Sequence, residues 1–190
     1  MSEYSQDRDD RHSGSLILRV NMGAGVVTAA PHILVCAGLG SCVALALYEK
    51  NKKIGGLAHI MLPDSSVYRS RAEYGISNPP SQSTILWSVY QCADTAITAL
   101  VEGMLGSGAV AERIVAKMVG GASMFSSYGN GVADRSIGEQ NVLAVRRILV
   151  MKQIRLIASH VGGHFGRNVE FHLDSGRMII RSIGMENQDI

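Results

Sequence analysis

The chain lacks any apolar run of the ~18 residues that a membrane-spanning helix requires, so insertion through helices is excluded. It also lacks a dominant charge. Lys and Arg total 18 against 16 Asp and Glu, a formal net of +2, and no basic cluster forms locally. That excludes the electrostatic footprint of a nucleic-acid-binding surface. Cysteine is scarce: Cys36, Cys42 and Cys92 are too few, and odd in number, for a disulfide framework. The opening MSEYSQDRDDRHSGS is polar and charged, unlike a signal peptide. Free thiols without an export signal lead us to expect a reducing, cytoplasmic location. Nucleotide-binding glycine patterns are missing too. Gly38-Leu39-Gly40 has no third glycine of a dinucleotide fingerprint, and no Walker lysine follows. His160 and His164 are four apart, like a helical metal pair, but the glycines between them argue for a loop and no third ligand is evident.

What is present suits one globular domain. At 190 residues, with 46% hydrophobic and 18% charged side chains, the chain is long enough to bury a core. Residues 1–14 are expected as a disordered polar tail, 15–184 as a single domain and 185–190 as a C-terminal tail. SLILRV (15–20) and HILVC (32–36) predict short strands, with a turn and a β-branched run, NMGAGVVTAAP, between them. Residues 42–49 and 53–62 predict two more, joined as a hairpin. Pro63 to Pro80 reads as a surface loop. From Ser83 the residues Leu86, Val89, Tyr90, Ala93, Ile97, Leu100, Val101 and Met104 recur at helical spacing, with Ser81 or Ser83 as cap and Gly106 and Gly108 as the stop. Residues 114–119 predict a strand. Ser136-Ile137-Gly138-Glu139 fits a capping box, and the helix behind it carries Val142, Val145, Ile148, Leu149 and Ile154. Residues 154–158 predict a strand, and 169–173 with 178–183 a closing hairpin across Asp174-Ser175-Gly176. Many strands are apolar on both sides, so both faces of a sheet are covered, which favours a layered α/β or α+β domain.

One stretch carries chemistry. GLGSCVALALYEKNKKIGGLAHIMLPDS, residues 38–65, places Cys42 just after Gly40 and Ser41, and His59 shortly after Gly55 and Gly56. A two-residue loop at Lys50 and Asn51 pairs Cys42 with His59, on one face and with Cβ atoms ~4.5–5.5 Å apart. A one-residue slip parts them. An imidazole beside a thiol lowers its pKa and takes its proton, which makes a nucleophile and its base. Gly40, Ser41 and Cys42 are then the natural backbone N–H donors for an oxyanion. A buried hairpin also holds Cys and His as packing residues, and the local pattern leaves both readings open.

The same residues carry a resemblance. GLGSCVALALYE followed by GGLAHIMLP resembles the signature around nucleophile and base in the CheD family of chemoreceptor glutamine deamidases. AKMVGGASMF (116–125) is similar to the family's AK-x-x-GGA-x-M-F segment, SIGEQNV (136–142) to its IG-x-x-N helix start, and GGHFGRNVEFHLDSG (162–176) to its GG-x-x-GR hairpin. Order and spacing agree over residues 16–182. The resemblance implies a layered sandwich of two stacked β-sheets with helices on the outer faces. It implies conversion of selected glutamines of methyl-accepting chemotaxis proteins to glutamate, with receptor methyl-ester hydrolysis in some members. It implies no cofactor and no metal, and a CheC-type phosphatase as partner. Cys42 is the implied nucleophile and His59 the implied base. The family often has a threonine six residues before the nucleophile as a third site residue. Cys36 stands at that position, and a thiol is the weaker hydrogen-bonding group. An acidic residue often precedes the GG-x-x-GR segment, where Ser159 and His160 stand here.

On this reading His59 deprotonates Cys42 and the thiolate attacks a glutamine carboxamide. Backbone amides of Ser41 and Cys42 hold the oxyanion, ammonia leaves, and water hydrolyses the thioester. Two other readings stand beside it. The protein is a non-catalytic or weakly catalytic adaptor that binds receptors and CheC, its site weakened by Cys36. Or Cys36 and Cys42 form a redox pair. Substrate selection is expected in the loop 64–80, close in sequence to His59.

Overall fold

The protein was analysed as a computed structural model, which describes residues 6–7, 14–66, 88–123 and 136–190. In chain order the elements are β1 Gln6–Asp7, β2 Ile17–Arg19, β3 Gly25–Ala29, β4 Ile33–Leu39, β5 Val43–Glu49, β6 Ile54–Ile60, α1 Ala93–Gly106, β7 Ile114–Gly120, α2 Ile137–Met151, β8 Arg155–Val161, β9 Arg167–His172, β10 Met178–Arg181 and β11 Gln188–Asp189. They form two mixed sheets, ordered β1-β2-β4-β9-β10-β11 and β3-β6-β5-β7-β8.

The central strands explain the layering. Every residue of β5 and β6 is buried, as expected of strands apolar on both sides. On one face Val43, Leu45, Leu47, Ala58 and Ile60 pack against Ile97, Leu100 and Met104 of α1 and Val145, Ile148 and Leu149 of α2. On the other face Ala44, Ala46, Tyr48 and Leu57 pack against Leu34, Cys36, Val169, Phe171 and Ile180 of the second sheet. The layered sandwich of two stacked sheets is therefore present. Both described helices lie on the same outer face, that of the five-stranded sheet.

The β5–β6 hairpin has a longer turn than the sequence arithmetic assumes. Glu49 pairs with Ile54, so residues 50–53 form the turn, and Ala44, not Cys42, stands opposite His59. The cause is local. The Glu49 carboxylate accepts the N–H groups of Asn51 at 3.0 Å and Lys52 at 3.1 Å. Lys53 takes the left-handed conformation, φ 53°. A two-residue primed turn asks for positive φ at both centres, which Lys-Asn supplies poorly. The register moves by two residues rather than one, so Cys42 stays on the face of His59, now as its diagonal neighbour.

Helix α1 also differs from its periodicity. The pattern starts at Ser83, but the helix starts at Ala93 with Cys92 extended at φ −109° and ψ 145°. Residues 91–93 are held beside the chain that leaves β6. Met61 and Leu62 donate to the Gln91 carbonyl, and the Ala93 N–H returns to Leu62 at 3.0 Å. Tyr90, counted as a helical position, instead lays its ring over Gly25, where a Cβ would collide with it. Ser81, Ser83, Leu86 and the loop from residue 67 to 80 lie outside the described residues. The helix stop at Gly106 and the Ser136 cap hold, the Ser136 hydroxyl accepting from the Glu139 N–H at 3.2 Å.

Both tails contribute short ladders. Gln6 and Asp7 pair with Leu18 and Ile17, and Gln188 and Asp189 pair with Ile180 and Ile179. Arg177 forms an ion pair with Asp189. Two-residue strands are too short for any periodicity to reveal.

Candidate active site

Three side chains meet at one end of the inter-sheet core. Cys36 comes from β4 of the six-stranded sheet, His59 from β6 of the five-stranded sheet, and Cys42 from the turn between β4 and β5. Cys36 is fully buried and His59 is 1% exposed. Cys42 is intermediate and packs at the rim of the same cluster. Cys36 Sγ lies 3.1 Å from His59 Nδ1. The third-residue position therefore contacts the imidazole even with sulfur in it. His59 Nε2 is buried and has no hydrogen-bond partner among the described residues. Thr28 sits on β3 opposite Gly55, far along the hairpin from His59.

Burial sets the electrostatics. It lowers the His59 pKa to about 4, and the backbone of Val20 offsets this only in part. It pushes the Cys36 thiol far up, with the neighbouring Cys42 charge adding to the rise. Cys42 is also pushed up by burial, while its own backbone N–H pulls it down. The resting cluster is therefore uncharged: two thiols and a neutral ring.

The turn that carries Cys42 is fastened through its carbonyls. Gly40 O accepts from the Ala122 N–H and Cys42 O from the Gly121 N–H, each at 2.8 Å. Between them, Ser41 O accepts from Asn141 Nδ2 at 3.0 Å. The N–H groups of Ser41 and Cys42 donate to no other described residue. Two glycines make this anchoring sterically feasible. Gly120, at φ +117°, passes so close to the Cys42 carbonyl that a Cβ would collide with it, and a Cβ on Gly138 would lie 2.5 Å from the Ala122 carbonyl oxygen. Helix α2 thus starts in direct contact with the backbone behind Cys42.

A second loop braces the first. Arg167, 3% exposed, donates through Nε to His160 Nδ1 at 2.9 Å and through its other nitrogens to the carbonyls of Phe165 and Gly162. The Gly162 N–H returns to Gly120 O, and the Ser123 N–H to Gly163 O. His164 Nδ1 meets the Ser123 carbonyl at 2.9 Å. Both histidines are thus engaged within this loop packing.

Two cavities lie toward opposite ends of the β5–β6 hairpin. One of about 180 Å³ is lined by His59 together with Arg19, Val20, Asn21, Met22, Val35, Ala37 and Gly38. A larger one, about 490 Å³, lies by Tyr48, Glu49, Lys50 and Lys117 at the opposite end of β5. The larger cavity holds neither thiol nor imidazole, so chemistry rather than size locates the site. Sequence reasoning pointed to Cys42, His59 and Cys36; Cys36 touches His59, and Cys42 packs against the cluster that holds Cys36. That reasoning quoted Asn141 within a motif without giving it a role.

These features define a class: a layered α/β domain with a buried thiol–imidazole centre at the end of its inter-sheet core. The family model for CheD chemotactic sensory transduction matches residues 80–182. The "Probable chemoreceptor glutamine deamidase CheD" of Caldanaerobacter subterraneus subsp. tengcongensis is 41% identical over 170 residues, 90% of this chain and 95% of that one. The "Chemoreceptor glutamine deamidase CheD" of Thermotoga maritima is 37% identical over 165 residues, 87% and 91% of the two chains. The chain belongs to the CheD family. Among solved structures, the C-terminal domain of CNFy from Yersinia pseudotuberculosis aligns over 93% of this chain and 63% of its own, at 8% identity and a TM-score of 0.36. That likeness carries no argument about chemistry.

Proposed function

We infer that the protein is a chemoreceptor glutamine deamidase that uses Cys42 as nucleophile and His59 as base. The observation that carries the chemistry is the anchored turn: three successive carbonyls tied back, two N–H groups with no acceptor among the described residues, and the Cys42 thiol packed against the cluster in which Cys36 touches His59. The names of relatives that align over nearly their whole length supply the substrate class.

The reaction starts from the uncharged cluster. A receptor glutamine brings its carboxamide carbon to Cys42 Sγ and its carbonyl oxygen to the N–H groups of Ser41 and Cys42. The thiol gives its proton to His59 as the C–S bond forms, so thiolate and imidazolium arise in the same step rather than standing as a resting ion pair. The backbone N–H groups stabilise the oxyanion. His59 returns the proton to the departing nitrogen, which leaves as ammonia. Water, deprotonated by His59, then attacks the thioester, and Cys42 recovers its proton as glutamate is released. A receptor methyl ester follows the same path and loses methanol. No step calls for a metal or an organic cofactor.

The adaptor reading requires a site weakened by Cys36. Cys36 Sγ lies within reach of Nδ1, which favours an intact site. The cytoplasm is the fitting compartment for free thiols, and a CheC-type phosphatase is the fitting partner. No nucleic acid enters this function. The test is peptide mapping of a cytoplasmic receptor fragment after incubation with the protein. Defined glutamines converted to glutamate are expected. A fragment that binds but stays unchanged would favour the adaptor.

A further inference from the structure

We propose that Asn141 is a positioning residue that sets the Cys42 turn for attack by bridging it to the end of the strand that carries His59. The inference rests on the deamidase reading and adds a residue to its machinery.

Asn141 lies one turn into α2 and is fully buried. Its amide nitrogen donates twice, to Ser41 O at 3.0 Å and to Met61 O at 2.9 Å. Ser41 immediately precedes the nucleophile, and Met61 lies two residues past His59. One planar amide therefore fixes the two segments that must keep register for proton transfer. The peptide between Ser41 and Cys42 is the one at stake, since its orientation aims the Cys42 N–H. The flanking carbonyls of Gly40 and Cys42 are fixed by backbone donors from β7's end. Only the middle carbonyl depends on a side chain.

The amide oxygen supports this reading. Asn141 Oδ1 is buried without a hydrogen-bond partner among the described residues. Among the described residues the amide is engaged through its donors alone. The close start of α2 is what lets it reach. Gly138 meets the backbone of Gly121 and Ala122, and Asn141 follows one turn later over the Cys42 turn.

Two readouts separate positioning from plain stability. In Asn141→Ala the turn loosens and Cys42 gains solvent. Its thiol, held up by burial, falls toward the ordinary range, and alkylation by neutral iodoacetamide at fixed pH becomes faster. Deamidation moves the opposite way: kcat falls by about 10- to 100-fold while KM stays within about threefold. Both are measured well below the variant's melting temperature. Asn141→Ser keeps one donor and is expected to fall between, and it carries the test if Asn141→Ala does not fold. Opposite movement of the two rates upholds the assignment. Unchanged rates, or a loss of both together, overturn it. A wild-type protein that alkylates but never deamidates sinks the functional reading instead, and the alkylation arm then decides Asn141 alone.

Discussion

The contact between Cys36 and His59 decides how the imidazole behaves. A buried ring with a thiol at 3.1 Å is oriented weakly compared with one held by a hydroxyl or carboxylate. Cys36→Ala removes that contact and is expected to lower kcat about fivefold, the equivalent of one weak hydrogen bond. Cys36→Thr supplies a stronger donor of similar size and is expected to match or exceed wild type. Steady-state deamidation kinetics of the two variants check this; equal rates in all three proteins would show that Cys36 does not orient the ring. The depressed His59 pKa has its own signature. A base that stays neutral down to about pH 4 leaves no acid limb near the ordinary histidine value. The pH profile of kcat/KM, which reports the free enzyme, is expected to be flat through pH 6.5 and to fall only toward pH 4–5. An inflection near 6.5 would place His59 in water-like surroundings.

At the scale of elements, the site depends on backbones that touch. Gly138→Ala gains roughly 1 kcal/mol of helix propensity. It also drives a Cβ to 2.5 Å from the Ala122 carbonyl oxygen and 2.7 Å from the Gly121 carbonyl carbon. Both partners are backbone, so neither yields by rotating a side chain. The clash wins, and a net loss of about 1–3 kcal/mol is expected in urea unfolding; an unchanged or raised midpoint would refute the close packing of α2. The elements themselves were largely legible, because β5, β6 and β7 are apolar on both sides and the helices repeat at 3.6 residues. What stayed hidden depends on particular side-chain and backbone hydrogen bonds, one local and one long-range. The turn length is set by the Glu49 carboxylate, and the α1 start by a bridge from Leu62 to Cys92. Neither appears in a local pattern. Cys42 and His59 share a face in both registers because the slip is even.

At the scale of the whole molecule, the site sits where both sheets and α2 converge, so its groups are stability elements as well. His59 is lowered to about 4 and His160 is lowered by burial and by Arg167. In the unfolded chain both titrate near 6.5. Between those values the unfolded state binds more protons, so stability falls as pH drops from about 6.5 toward 4. For His59 alone the loss approaches roughly 3 kcal/mol at the lower end. Urea midpoints of wild type and His59→Gln at pH 7 and pH 5 isolate it. The wild type is expected to lose more between the two, and equal losses would contradict a buried neutral ring. The reach of sequence reading ends at this scale too. Cys36, Cys42 and His59 are marked by residue type and motif, whereas Asn141 becomes visible only when α2 lands on the turn. The most direct measurement is ammonia released from a cytoplasmic receptor fragment by wild type and by Cys42→Ala, followed alongside the fragment's mass. Wild type is expected to release ammonia in step with a one-dalton gain per converted glutamine, and Cys42→Ala to release none. Ammonia from Cys42→Ala at the wild-type rate would contradict Cys42 as the nucleophile.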